Sequence, residues 1–204
     1  MDTIDYEALV KALKDRRFLP EVYDTAEEAK AAALEIIGTK SVGIGGSATV
    51  RDMGLAEALQ ENGNEVYWHW LAAKEAKQAA RDRALMADVY MCSTNALTAD
   101  GRLVNIDGTG NRAAGLIYGP HEVIVIVGRN KIVTGLDEAI DRIKRDTCPQ
   151  NARRLGLDTP CAKTGQCHDC RTAARMCSVT YIHEAPTRPV KAFHVLIVKE
   201  DLGL

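Results

Sequence analysis

Five consecutive apolar residues, Val123-Ile124-Val125-Ile126-Val127, constrain the fold of this chain more than any other feature. A strand with one wet face alternates apolar and polar residues. An unbroken apolar run reads instead as a strand covered on both faces, which is the habit of parallel sheets whose strands are joined by helices. Other strand-prone runs fit the same sheet: 40–44, 65–70, 88–92 and, near the end, 192–198. Helical spacing fills the gaps between them. Leu9, Val10, Leu13 and Phe18 mark a first helix over 6–17, closed by Pro20. Thr25 and Glu28 have the spacing of a capping box for a second helix, whose stripe of Ala29, Ala32, Ala33, Ile36 and Ile37 stops at Gly38. Further helices are expected after the glycines at 45–46, over 72–86 and over 136–145, where Pro149 is expected to break the chain before a short helix at 151–155. The pattern is α/β, a mostly parallel sheet with helices on both faces, and ligands of such sheets bind beyond the carboxyl ends of the strands.

The densest polar chemistry lies between 93 and 112. Asp100-Gly101 sits between short apolar runs and predicts a β-hairpin near 96–106 with a type I′ turn, positive φ at both positions. The chain then runs Asn105-Ile106-Asp107-Gly108-Thr109-Gly110-Asn111-Arg112 into an apolar stretch, a glycine loop feeding a helix. Asp107, Arg112 and Asn95 combine a carboxylate, a guanidinium and an amide suited to orienting a hydroxy acid or a sugar-like ligand, with Asp107 as candidate base. The bland reading is a hairpin with turn-capping Asp and Asn and a structural Arg112 ion pair. Gly45, Gly46, Ser47 and Thr49 form a second glycine turn between strand and helix. With Gly108, Gly110 and Asn111 they are the candidate anion-binding residues. The spacing is neither the dinucleotide fingerprint nor the Walker loop, so no nucleotide cofactor is assigned.

Cys161, Cys167, Cys170 and Cys177 place four thiols in one loop-rich segment, the ligand number of closed zinc sites and of cubane iron–sulfur clusters. A 4Fe–4S cluster, zinc and plain reduced thiols are the three readings, with a metal favoured. His168 and His183 are read as exposed substitutes, and Cys148 and Cys92 as small buried hydrophobes. Tyr67, Trp68 and Trp70 are expected to pack the sheet, His69 to point to its other face, and His121 to be structural.

At 204 residues and 46% hydrophobic content the chain is long enough for one α/β domain over 1–204, with N-terminal helices over 1–38 and the cysteine segment at 156–180. A net charge of -2 offers no broad basic surface for nucleic acid. The acidic start at 1–7 lacks the basic flank and apolar core of a secretory signal, and no run is long enough to span a bilayer, so a cytoplasmic protein without a membrane span is expected.

The runs Gly45-Gly46-Ser47, 93–101 and 105–112 together resemble the LUD (lactate utilisation) domain family. The resemblance implies a Rossmann-like fold akin to the ribose-phosphate isomerase, glucosamine-phosphate deaminase and CoA-transferase group, with its site at the strand ends. Some members of that family belong to iron–sulfur systems oxidising lactate to pyruvate, and others are short and stand alone. The run 159–170, with Arg175-Met176-Cys177, resembles a segment of the short members.

Three functions follow as expectations. In the first, the protein handles a small anionic metabolite such as a 2-hydroxy acid and carries an electron-transferring cluster. The second is a non-catalytic redox or scaffold subunit with structural zinc, and the third an enzyme acting on a sugar phosphate or a CoA ester. Other redox subunits and a second copy of the chain stay open as partners.

Overall fold

The computed structural model describes residues 4–204, so Met1, Asp2 and Thr3 of the acidic start lie outside the described residues. Six parallel strands form the main sheet in the order β1-β10-β7-β4-β2-β3. They are β1 (Leu19–Tyr23), β2 (Val42–Ile44), β3 (Val66–Trp68), β4 (Val89–Cys92), β7 (Glu122–Gly128) and β10 (Ala192–Val198). The apolar run at 123–127 lies within β7, in the interior of this sheet, and its two faces feed two cores. Val123, Val125 and Val127 join Phe193, Val195 and Ile197 against α1 (Tyr6–Asp15), α5 (Lys77–Ala84) and α6 (Asn111–Ile117). Ile124 and Ile126 join Leu196 and Val198 against α2 (Ala26–Ile37), α3 (Ala48–Asp52) and α4 (Leu55–Glu61). Period-two alternation thus explains why every residue of the run is apolar. The Rossmann-like α/β expectation is met.

A second sheet of four strands has the order β8-β5-β6-β9, comprising β5 (Ala96–Thr98), β6 (Leu103–Asp107), β8 (Ile132–Val133) and β9 (Val179–His183). Its core is small: Ala96, Val104 and Val133 pack with Ala139, Ile143 and Cys148. The last three belong to a continuous helical stretch formed by α7 (Leu136–Arg142), a π-helical turn over Ile143–Thr147 and α8 (Cys148–Arg154). A short α9 (Pro160–Thr164) follows.

The structure departs from the pattern reading at several points. Pro20 does not end the first helix, which stops at Asp15 with Arg17 at a φ of 69°; it sits inside β1, where an edge position tolerates its missing N–H. The helix expected after the glycine turn is cut into α3 and α4 at Gly54, whose φ of 61° breaks the helical path. Pro149 does not break the helical stretch: it follows directly on the π-helical turn over Ile143–Thr147, where the regular hydrogen-bond ladder is already re-routed. The hairpin forms, but only Gly101 has positive φ, at 85°. Asp100 keeps ordinary backbone while its carboxylate is held by Arg102 and Arg16, so the turn is not type I′.

Candidate functional site

Beyond the carboxyl end of β2 the chain leads on to β3 on one side, while β4 lies on the other. A cleft of about 610 Å³ opens there, lined by Gly46, Ser47 and Thr49 after β2, by Ser93, Thr94 and Asn95 after β4, by Asp107 at the end of β6 in the second sheet, and by Asn111 and Arg112 at the start of α6. The two glycine-bearing turns, far apart in sequence, therefore border one cavity. Gly45 and Gly110 are not among its lining residues. Gly45 continues the sheet, its N–H donating to Met91 and its carbonyl accepting from Trp68 Nε1, while Gly110, with φ of 82°, caps α6. Ser47 caps α3 by accepting from Val50 N–H.

Asp107, Arg112 and Asn95 form one network. Arg112 Nε donates to Asp107 Oδ1 at 2.9 Å and Nη2 to Asn95 Oδ1 at 2.9 Å, with further bonds to the carbonyls of Ser93 and Ile106. Asp107 Oδ2 accepts from Ala113 N–H at 2.9 Å and from the Tyr181 hydroxyl at 3.4 Å. Asn95 is clamped in turn, its N–H donating to Asn105 Oδ1 and its Oδ1 accepting from Ile106 N–H. Both charged partners are buried, and Arg112 is held above its usual pKa: burial opposes its charge, but Tyr181, Asp107 and Cys92 outweigh it. Burial, relieved only in part by Arg112, pushes the Tyr181 hydroxyl upward. With its oxygens already occupied, Asp107 offers little lone-pair capacity to a substrate proton.

The cleft also holds a buried cation that pattern reading passed over, Lys131. It follows β7 in a short 3₁₀ turn (Arg129–Lys131), is buried, and donates from Nζ to Thr49 Oγ1 at 2.8 Å and Ser93 Oγ at 2.9 Å. Among the described residues no carboxylate pairs with it. Burial, with Arg142 and Arg112 nearby, lowers its pKa to about 7. In sequence it is an ordinary lysine after a strand, and no spacing marks it.

Arg51, Lys77, Arg81 and Arg154 also line the cleft, so that among the described residues six cationic side chains, with Arg112 and Lys131, stand against one acidic side chain, Asp107. Arg154 stacks on Trp70 with its guanidinium carbon 4.5 Å from the ring centroid, and Arg51 lies 5.8 Å from it. His69 also lines the cleft rather than pointing across the sheet, because β3 ends at Trp68 and strand alternation ends with it. Burial, then Arg81, Lys77 and Arg154, lowers its pKa to about 4, leaving it neutral near pH 7. His69 Nδ1 and Arg81 Nε are buried without a hydrogen-bond partner.

The cysteine segment is not arranged as a single ligand set. Among the described residues no three His, Cys, Asp or Glu side chains gather closely enough to hold a metal ion. Cys161 is buried beside Thr159 Oγ1 at 3.3 Å, Cys167 is exposed, and Cys170 is half-buried. Cys177 instead meets Cys148, sulfur to sulfur, at 3.4 Å, and both line the cleft. Their shared hydrogen bond, then Arg175 and Lys144, lowers Cys177 to about 7, and the same bond together with burial raises Cys148. Burial also pushes Cys92 up to about 12. His168 is exposed against Thr164, whereas His183, expected at the surface, is buried against Phe193 because it belongs to β9. His121 Nδ1 donates to Pro189 O at 2.8 Å. No helix among the described residues is long and apolar enough to cross a membrane.

Among curated proteins no match is found. The fold is similar to the crystal structure of a DUF162 family protein from Deinococcus radiodurans, 14% identical, with 94% of each chain covered and a TM-score of 0.54. The family model described as LUD domain matches residues 6–198, nearly the whole sheet-and-cleft architecture, and the chain belongs to the LUD domain family.

Proposed function

We infer that the cleft binds a small anionic metabolite, with a 2-hydroxy acid or its 2-oxo counterpart as the class that fits best. The observation carrying this reading is the buried Lys131, without a carboxylate partner, in a lining where cations far outnumber acids. A buried cation lacking a counter-charge is costly, and a ligand carboxylate beside Nζ offsets that cost. Thr49 and Ser93 fix the ammonium at the cleft wall, and the orphaned His69 Nδ1 and Arg81 Nε offer further polar contacts. A carboxylate with an adjacent hydroxyl or carbonyl matches such a set of donors.

In this reading Asp107, Arg112 and Asn95 hold the wall in shape, and Lys131 contacts the ligand. Near its pKa of about 7, Lys131 is also suited to give or take a proton at the ligand oxygen. A role in lactate utilisation is the version of this reading that family membership supports.

Thermal shift and calorimetry test it with lactate, pyruvate, malonate and inorganic phosphate against lactamide as the uncharged control. Lactate or pyruvate is expected to stabilise the protein while lactamide does not, and Lys131→Met is expected to abolish the effect. If lactamide stabilises as well as lactate, or if Lys131→Met binds the acids unchanged, the reading is wrong.

A further inference from the structure

Two cysteines that pattern reading assigned to different roles, one to a hydrophobic core and one to a metal quartet, meet on the cleft wall. Cys148 opens α8 immediately after the π-helical turn, and Cys177 follows Met176 in the segment leading to β9. Their meeting is enforced from both sides. Gly108 lets that segment come close, since a Cβ there would lie 2.7 Å from Met176 O. Ser178 N–H then donates to Asp107 O at 2.9 Å, and Asn151 Nδ2 of α8 donates to Met176 Sδ at 3.5 Å. The two sulfurs stand 3.4 Å apart, and no third metal-ligating side chain joins them among the described residues.

We propose that Cys148 and Cys177 are a redox-active dithiol that closes to an intramolecular disulfide on the wall of the cation-lined cleft. A disulfide needs its sulfurs at about 2.05 Å, so from 3.4 Å the pair has little more than an ångström to close. Cys177 is half-buried and Cys148 buried, so an oxidant entering through the cleft meets Cys177 first. With hydrogen peroxide as oxidant, the Cys177 thiolate attacks one peroxide oxygen. The O–O bond breaks, hydroxide leaves and takes up a proton as water, and Cys177 becomes a sulfenic acid. The Cys148 sulfur then attacks the Cys177 sulfur, forming the S–S bond and expelling the sulfenic oxygen as a second water. Two thiols and one peroxide give one disulfide and two waters. A low-molecular-weight disulfide serves equally, leaving as two thiols after a mixed disulfide at Cys177. Closure ties the segment before β9 to α8 and so fixes one wall of the cavity.

The experiment uses the full chain, purified without oxygen and treated with one equivalent of hydrogen peroxide or with oxidised glutathione. Digestion without reductant, followed by mass spectrometry, reads the product. A linked pair of peptides carrying Cys148 and Cys177, lighter by two hydrogens and separated by dithiothreitol, is the expected result. Cys148→Ser is expected to leave Cys177 as a sulfenic acid or a stable glutathione adduct. Cys177→Ser, at the more accessible position, is expected to prevent the link without disturbing the core. Linkage of Cys177 to Cys161, Cys167 or Cys170 in preference to Cys148 overturns the proposal. So does stoichiometric iron or zinc in the anaerobic protein that is lost on Cys148→Ser or Cys177→Ser.

Discussion

Lys131 and Arg112 stand in the same cleft and answer to opposite physics. Arg112 is buried with Asp107 and a set of oxygen acceptors, so its charge is satisfied within the fold. Lys131 has two hydroxyls and, among the described residues, no carboxylate paired with it, and its pKa falls from 10.5 to about 7. That shift fixes a pH dependence. Between pH 7 and 10.5 the unfolded chain keeps a proton that the native lysine has given up, so stability rises with pH across this window. Below about pH 7 the native state carries the whole cost of the buried charge, on the order of 5 kcal/mol. Lys131→Met removes the titrating group. In the absence of anions the variant is expected to be more stable than the parent at pH 6, with the gap closing towards pH 10. Urea unfolding of both proteins at several pH values measures that gap, and a gap independent of pH means that the lysine titrates as it does in water.

The elements repeat the same competition between local preference and packing. Thr25 and Glu28 form the capping box their spacing predicts, with both reciprocal hydrogen bonds in place, because capping is decided within four residues. The hairpin and the β7 run were equally legible. By contrast β1, β8 and β9 were not, since Pro20 disguises an edge strand, two residues make β8, and the alternation of β9 is diluted by Thr180 and His183. Site residues split along the same line. The glycine turns and the 105–112 loop announce themselves through unusual composition, whereas Lys131, Arg81 and Arg154 acquire meaning only from what the fold brings beside them. Gly115 shows how far packing overrides propensity. In a helix interior Gly→Ala ordinarily gains ~1 kcal/mol. Within α6, however, a Cβ at 115 would lie 2.3 Å from the ring of Tyr90, a fully buried residue of β4 whose hydroxyl donates to Asn111 O at 3.1 Å. Gly115→Ala is therefore expected to cost about 1–3 kcal/mol through overpacking. In a Tyr90→Leu background the same substitution is expected to become neutral or stabilising, a reversal that a double-mutant cycle of chemical denaturation reads directly.

At the scale of the whole molecule, the cleft lies where two sheets of unequal strength meet. The main sheet is covered on both faces by the two large cores, whereas the small sheet rests on a handful of side chains around Ala96, Val104 and Cys148. Segments with little buried apolar area open at lower free energy than the global transition, so β5, β6, β8 and β9 are expected to exchange their amide hydrogens faster than β7 and β10. The cleft borrows Asp107 from the small sheet, Ser93 and Gly46 from the ends of the large one, and Asn151 and Arg154 from α8. Opening of the small sheet therefore dismantles the site, and a ligand that binds only the closed form must resist that opening. At a lactate or pyruvate concentration near 100 times Kd, exchange in the small sheet is expected to slow by about 100-fold. Amides whose opening leaves the cleft intact, such as those of α1, gain no protection from the ligand. Hydrogen-exchange mass spectrometry with and without the anion reads both regions in one experiment. Protection confined to the main sheet means that the ligand sits elsewhere and that the two sheets do not act on it together.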